Sequence, residues 1–280
     1  FPWFLGAGAI LLQLLAGLLR AYRWRLFFIE EKIPVWRLFL VQHVGLGLNN
    51  VFPIRVMSEP IQLVLLTIKD KLSGGSLLAT MLLDRTMDGM FTAGVLWLGV
   101  LLLPFLHGVR YLVSGLFLVF AILFILWLVA PQAFKRIPAF RRLPLLSSYA
   151  SAISALLANR WRFLIVLALS AGFWAITATG VWVIAIGLNM DLPWTVIAFT
   201  VIAVIVFTSY LPSLPAAAGS FEFAMVYLLG MFGVDKGLAF SFALLAHLVL
   251  FLPAIGIAAF QLPREGMSFQ RVASLVKSWK

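Results

Sequence analysis

The chain has 280 residues, 63% of them hydrophobic and only 11% charged, with a mean hydropathy of +1.07. Soluble domains carry about 25% charged residues, so this composition excludes an ordinary water-soluble domain and places the chain in lipid. There is no cysteine, which excludes disulfides and thiolate metal sites, and a formal net charge of +11 raises the question of nucleic acid.

Apolar stretches of about 20 residues, the length that crosses a hydrocarbon core, recur at 1–20, 35–52, 76–104, 111–130, 162–187, 194–211 and 237–261. The first is no signal peptide. It lacks an initiator Met and a basic leading region, and further spans follow it, so the chain reads as trimmed from a longer protein. The second runs into N49-N50-V-F-P53-I-R55-V-M-S58-E59-P60, polar residues and prolines set between two apolar runs. A helix of about 15 residues rises only ~22 Å, too short to cross but suited to half of a re-entrant hairpin. With its tip at Pro53, the segment enters, breaks and returns through 54–68, and Pro60 fits the first turn of the returning helix. Asn49 and Asn50 satisfy backbone groups at the break.

Basic residues in a multi-span protein gather on the cytoplasmic side, and this hairpin allows them to. Of the 21 Lys and Arg, 17 then share one side. Arg20, Arg23, Arg25, Lys32 and Arg37 follow the first span, with Lys69 and Lys71 after the hairpin. Lys135, Arg136, Arg141, Arg142, Arg160 and Arg162 lie in the middle, and Arg264, Arg271, Lys277 and Lys280 in the tail. The charge therefore marks topology, and no nucleic-acid partner is expected. Residues 131–161, rich in proline and basic residues, form a cytoplasmic connector between membrane halves 1–130 and 162–262. Within it 145–157 is either a surface helix or a solvated linker. The basic stretch 263–280 is an amphipathic cytoplasmic tail.

The second half repeats the first upside down. The segment 194–211 enters from outside, breaks at S-Y-L-P212-S-L-P215-A-A-A-G219-S-F-E222-F, and returns through 221–232. Glu59 is followed 25 positions later by Asp84, and Glu222 is followed 25 positions later by His247; at the same offset Gly74 lies over Gly237. Broken helices in corresponding positions of two halves point to a midplane site in transporters. The expected fold is thus an all-α polytopic membrane protein, about seven full transmembrane helices plus two re-entrant hairpins arranged as an inverted repeat.

The ionisable residues inside the membrane are Arg55, Glu59, Asp84, Arg85, Asp88, Glu222 and His247. Each charge at mid-bilayer costs about 2.5–3.5 kcal/mol when isolated, so these must be paired, hydrated or neutralised. Arg85 and Asp88 are three apart and can pair on one helix; Arg55 and Glu59 are four apart in the hairpin. Glu222 can cap the returning helix, and His247 reads either as a packed core histidine or as part of the site. His43 and His107 are structural or loop residues. Arg55 sits at a helix opening that already favours an anion such as phosphate or carboxylate. No metal cluster or cofactor motif is present in the sequence.

The strings N49-N50-V-F-P53-I-R55-V-M-S58-E59, D84-R85-T-M-D88 and P212-S-L-P215-A-A-A-G219-S-F-E222 resemble the flippase-like membrane domain of lysylphosphatidylglycerol synthases and related stand-alone membrane proteins. The resemblance covers nearly the whole chain. Ser58 stands where the family usually has glycine, and His247 where it tends to have arginine. The resemblance implies translocation, at the plasma (inner) membrane, of an amphipathic lipid between leaflets, such as an aminoacylated phosphatidylglycerol or a polyprenyl-phosphate carrier. Arg55 and Arg85 would take phosphate, while Glu59, Asp84, Asp88 and Glu222 would take an amine or carry protons, with Asn50 and His247 beside them. Membrane lipids are the expected partners, together with a cytoplasmic synthase domain or a second copy. A transporter role, not catalysis, is the expectation. The rival readings are a proton- or ion-coupled small-solute transporter, a membrane-embedded transferase, and a non-transporting accessory subunit.

Overall fold

The computed structural model describes residues 1–29, 31–52, 58–102, 108, 110–134, 144–210 and 215–267, and every regular element among them is helical. In chain order these are α1 (Trp3–Arg25), α2 (Val35–Val51), α3 (Ser58–Val64, continued by a π-helical turn Leu65–Lys69), α4 (Gly74–Leu102) and α5 (Arg110–Phe134). There follow α6 (Pro144–Ala158), α7 (Arg160–Gly187), α8 (Trp194–Tyr210), a 3-10 turn (Pro215–Ala217), α9 (Ser220–Met231) and α10 (Lys236–Arg264). Local chemistry sets several starts. Pro2 and Pro34 stand at the N-caps of α1 and α2, where a residue without an N–H leaves no donor unpaired. The Asp235 carboxylate accepts from the N–H groups of Gly237 and Leu238 at 2.8 and 3.1 Å, and Asn159 Oδ1 from that of Arg162 at 3.1 Å.

Among the described residues three helices, α1, α7 and α10, are both long and apolar enough to cross a membrane. The α4 helix equals α10 in length at 29 residues but carries Asp84, Arg85 and Asp88. The 17-residue α2 and α8 rise only about 26 Å, short of the ~30 Å core. Seven segments are apolar in sequence; length and charge separate them.

Helix α1 runs antiparallel to α7. Gln13 Nε2 donates to the Thr177 carbonyl at 3.0 Å, Arg23 Nη1 to Ser170 Oγ at 2.9 Å, and Arg162 Nη2 to the Phe28 carbonyl at 2.9 Å. Helix α2 runs antiparallel to α10. Arg37, in the first turn of α2, pairs with Glu265 just beyond α10, while Gly47 lies against Ala254 and Ala258. A Cβ at Gly47 would fall 2.3 Å from the Ala254 carbonyl oxygen, so only glycine permits this approach. Lipid tails are as apolar as the helices, so small residues and polar contacts hold such packing more than water exclusion does. Buried Ala9, Ala16, Ala21, Ala178, Ala185, Ala243, Ala246 and Ala254 on α1, α7 and α10 fit that rule.

The two ends of the α2–α3 pair meet. Arg37 Nη2 lies 2.9 Å from Asp70 Oδ2, and Lys69 Nζ lies 3.1 Å from Glu265 Oε2. Burial alone would raise the Glu265 carboxyl, but hydrogen bonds from Arg37, Gln261 and Lys69 outweigh it and hold it down at about 2. The cores divide accordingly. One joins the end of α1, α2, α3, the start of α4, α6 and Leu262. The other joins Ala9, the end of α7, α8, α9 and the first half of α10, with Leu188, Met190 and Val234 at the turns. Residues 145–157 are no solvated linker: Tyr149, Ala152, Ile153 and Leu156 of α6 are buried in the first core. The basic stretch 135–143 and the tail from 268 lie outside the described residues.

Candidate functional site

The polar residues of the bundle fall into two groups. In the first, α1, α4 and α7 bring together a cluster that is neutral overall. Arg23, fully buried, donates from Nε and Nη2 to Asp84 Oδ1 at 3.0 and 2.7 Å, and its Nη1 lies 2.7 Å from Asp88 Oδ1. Arg20 Nη2 lies 2.9 Å from Asp88 Oδ2 and 3.5 Å from Asp84 Oδ2. Arg20 and Arg23 do not project from a loop after the first span. The α1 helix continues to Arg25 and turns both into the protein. Their three-residue spacing, matching the four-residue spacing of Asp84 and Asp88, is the signal that the sequence offered.

Asp88 therefore does not take Arg85. Arg85 turns the other way and pairs with Glu59 in the first turn of α3. Both side chains of that pair are nearly half exposed, at 44% and 41%. Beside it Arg20, Trp24, Gln42, Gln62, Asp84 and Arg85 line a narrow cavity of about 20 Å³, room for roughly one water. Asn50 lies in the last turn of α2, half-buried. The tip itself, with Pro53 and Arg55, lies outside the described residues, as do Pro212 of the second break and His107.

The second group sits at the other break. Pro215 opens the 3-10 turn, and Ala216, Ala217 and Gly219 have φ of 55°, 61° and 82°. Non-glycine residues rarely adopt such values, so the chain is forced through a sharp reversal here. Glu222, in the first turn of α9, then makes two contacts. Its Oε2 accepts the Gly219 N–H at 2.7 Å, and its Oε1 lies 2.5 Å from His247 Nδ1 on α10. The imidazole is flanked by Phe221 and Phe251, with ring centroids at 4.9 and 4.5 Å. Glu222 is thus a cap and a hydrogen-bond partner of His247, and His247 is both packed and engaged. A groove of about 430 Å³, lined by Gly219, Glu222, Phe223, Val226, Phe240 and Leu244, opens beside this pair. Its walls are apolar apart from the carboxylate.

Residues 1–276 match the family model described as the lysylphosphatidylglycerol synthase TM region. The chain belongs to that family. Comparison with curated proteins and with solved structures returns no match. Membership agrees with an all-helical, multi-pass chain and ties the protein to a lipid-modifying system. His43 has a plain role: its Nδ1 lies 2.8 Å from the Phe39 carbonyl and its ring lies tilted against that of Phe39, centroids 4.1 Å apart. Among the described residues no group of His, Asp and Glu is arranged to hold a metal.

Proposed function

We propose that this chain translocates an amphipathic phospholipid, anionic or aminoacylated as in lysylphosphatidylglycerol, between leaflets. Two re-entrant hairpins, α2–α3 and α8–α9, enter from opposite faces and line a polar path at mid-depth. One observation carries the reading. In each half, a glutamate in the first turn of the returning helix meets a basic side chain on the next long helix, Glu59 with Arg85 and Glu222 with His247.

The helix boundaries support an inverted repeat. Adding 163, the separation of Glu59 and Glu222, carries 58–69 onto 221–232, beside α9 at Ser220–Met231. The same shift carries α4 onto 237–265, beside Lys236–Arg264, and α1 onto 166–188, beside Arg160–Gly187. The first hairpin has its ends where α1 finishes, the second where α1 begins. Reversed backbone at membrane depth is tolerated only when buried in protein or lining a polar cavity, which suits both breaks. A headgroup needs such a cavity while its tails remain in lipid. The open apolar groove ending at Glu222 offers one chain and one amine a place each. Arg55 and Arg85 are the candidate phosphate ligands, and Pro53, Pro212, Pro215 and Gly219 the hinge positions.

The test is translocation in proteoliposomes with fluorescent phosphatidylglycerol, lysylphosphatidylglycerol and a polyprenyl phosphate. Arg55→Ala, Arg85→Ala and Glu222→Gln are each expected to slow the favoured lipid at least tenfold. Unchanged rates in all three, or no movement of any lipid by the wild type, would refute the reading. Single cysteines near 70 and 235 should label from opposite sides; labelling from one side would remove the inverted repeat.

A further inference from the structure

The translocation reading leaves open what drives a charged headgroup on and off. Glu222 and His247 are an unusual pair for that task. A buried carboxylate can be balanced permanently by arginine, or conditionally by histidine, the side chain that ordinarily titrates near neutrality. Here the balance is conditional. His247 Nδ1 lies 2.5 Å from Glu222 Oε1, and the side chains are only 14% and 12% exposed.

The surroundings supply no substitute cation among the described residues. The α8 helix has no charged side chain, and α9 has none besides Glu222. On α10, Lys236 and Arg264 stand at the two ends of the helix, 11 and 17 residues from His247. On α2, Arg37 is committed to Asp70 and Glu265, and His43 to the Phe39 carbonyl. On α1, Arg20 and Arg23 are committed to Asp84 and Asp88, while Arg25 lies in its last turn. On α7, Arg160 and Arg162 lie in the first turn. Tyr227, on α9, is exposed and stacks on Phe223. Among the described residues Glu222 therefore has one cationic partner in reach, and that partner is a cation only while protonated.

From this geometry we propose that Glu222 and His247 form a proton–ammonium exchange site. A lipid bearing a primary ammonium enters by the groove along Phe223, Val226, Phe240 and Leu244 and pairs with Glu222. The His247 imidazolium, deprived of its carboxylate, releases its proton to water. Charge balances over the exchange: one ammonium arrives, one proton leaves, and the pocket is neutral before and after. The second carboxylate oxygen holds the Gly219 N–H at 2.7 Å, so the exchange also acts on the residue with φ 82° where the break ends and α9 begins. Only the identity of the carried lipid rests on the translocation reading; the exchange itself does not.

The exchange is measured first by binding, in detergent, with dodecylammonium as probe and dodecanol as control. In a weakly buffered solution with a pH indicator, the wild type should release up to about one proton per ammonium bound, and none with dodecanol. Raising the pH removes the competing proton, so the apparent Kd should fall by up to about tenfold per pH unit until His247 is neutral, then level off. His247→Arg keeps the positive charge and should remove both the proton release and the pH slope, while His247→Asn should bind without proton release. Proton release that persists in both variants, or binding with no pH slope in the wild type, overturns the proposal. Proteoliposomes then separate the two readings. Lysylphosphatidylglycerol movement with no accompanying proton flux would sink the exchange and leave translocation standing. Ammonium-linked proton release without movement of any lipid would keep the exchange and refute translocation.

Discussion

Replacing Arg23 by methionine tests whether the buried cluster staples α1 to α4. The wild-type group of Arg20, Arg23, Asp84 and Asp88 is neutral, and Arg23 contributes contacts of 2.7 and 3.0 Å to Asp84, 2.7 Å to Asp88 and 2.9 Å to Ser170. Methionine fills similar volume, so the loss is mainly of charge. It leaves two buried aspartates facing Arg20 alone. Breaking a buried pair by removing one partner costs about 3–5 kcal/mol, because the remaining charge is uncompensated. A 1 kcal/mol change shifts the midpoint by roughly 2–4 °C in a protein of this size class, so the thermal midpoint in detergent should fall by roughly 10 °C. The double variant Arg23→Met with Asp84→Asn restores neutrality and should recover more than half of that loss. The assay is a thermal shift on single and double variants purified side by side. A single variant within about 1 kcal/mol of wild type, or a double no better than the single, would refute the staple.

Gly47→Leu should separate α2 from α10 and destabilise by about 1–3 kcal/mol or more through overpacking, read as a lower thermal midpoint. Gly219→Ala meets no neighbour within 4 Å, so its cost is confined to backbone strain of about 1–3 kcal/mol at φ 82°; the thermal midpoint should fall by a few degrees while lipid movement slows. Glu265 is held down at about 2 against an ordinary 4.5. A depressed carboxyl stabilises the fold fully above its unfolded value and loses that contribution as pH falls through its folded value. An acid titration of stability should therefore show a component between about pH 4.5 and 2 that Glu265→Gln lacks.

The helices and the capping role of Glu222 were legible in the sequence because each rests on a local pattern. Apolar runs announce helices in lipid, and the shared spacing of 25, read in the sequence only as a mark of repetition, falls in both halves on the helix that carries the glutamate's partner. In the first half it stopped one residue short, at Asp84 instead of Arg85. What the sequence hid is non-local. Arg23 and Asp84 are 61 residues apart, and a basic residue near the end of a span ordinarily marks the cytoplasmic side, so Arg20 and Arg23 looked like topology. Arg85 beside Asp88 suggested a pair within one helix, yet α1 supplied two better-placed arginines and released Arg85 to Glu59. The cluster of Arg37, Lys69, Asp70 and Glu265 was invisible for the same reason: it assembles only when the ends of the hairpin and of α10 coincide.

The two proposed halves are alike in their boundaries and unlike in their packing, and the difference has a direction. Helix α2 lies closely along α10, but its counterpart α8 touches α4 over a shorter contact; likewise α9 packs closely on α10 while α3 touches α4 only lightly. The exposure of the two glutamate contacts follows suit. Glu222 and His247 are enclosed at 12% and 14%, Glu59 and Arg85 open at 41% and 44%. An inverted repeat that works by alternating access is expected to be asymmetric in any single state, with one equivalent contact closed and the other open. Here the closed contact is at α10 and the open one at α4. The staple from Arg20 and Arg23 fixes α4 to α1 within one turn of Arg85, so α4 is poorly placed to move by itself. In the proposed translocation cycle, opening and closing at Glu59 would fall to α3, and the ends of the α2–α3 pair are tied to Glu265 at the far end of α10. On this reading the first hairpin's movement is transmitted to α10, the helix that carries His247.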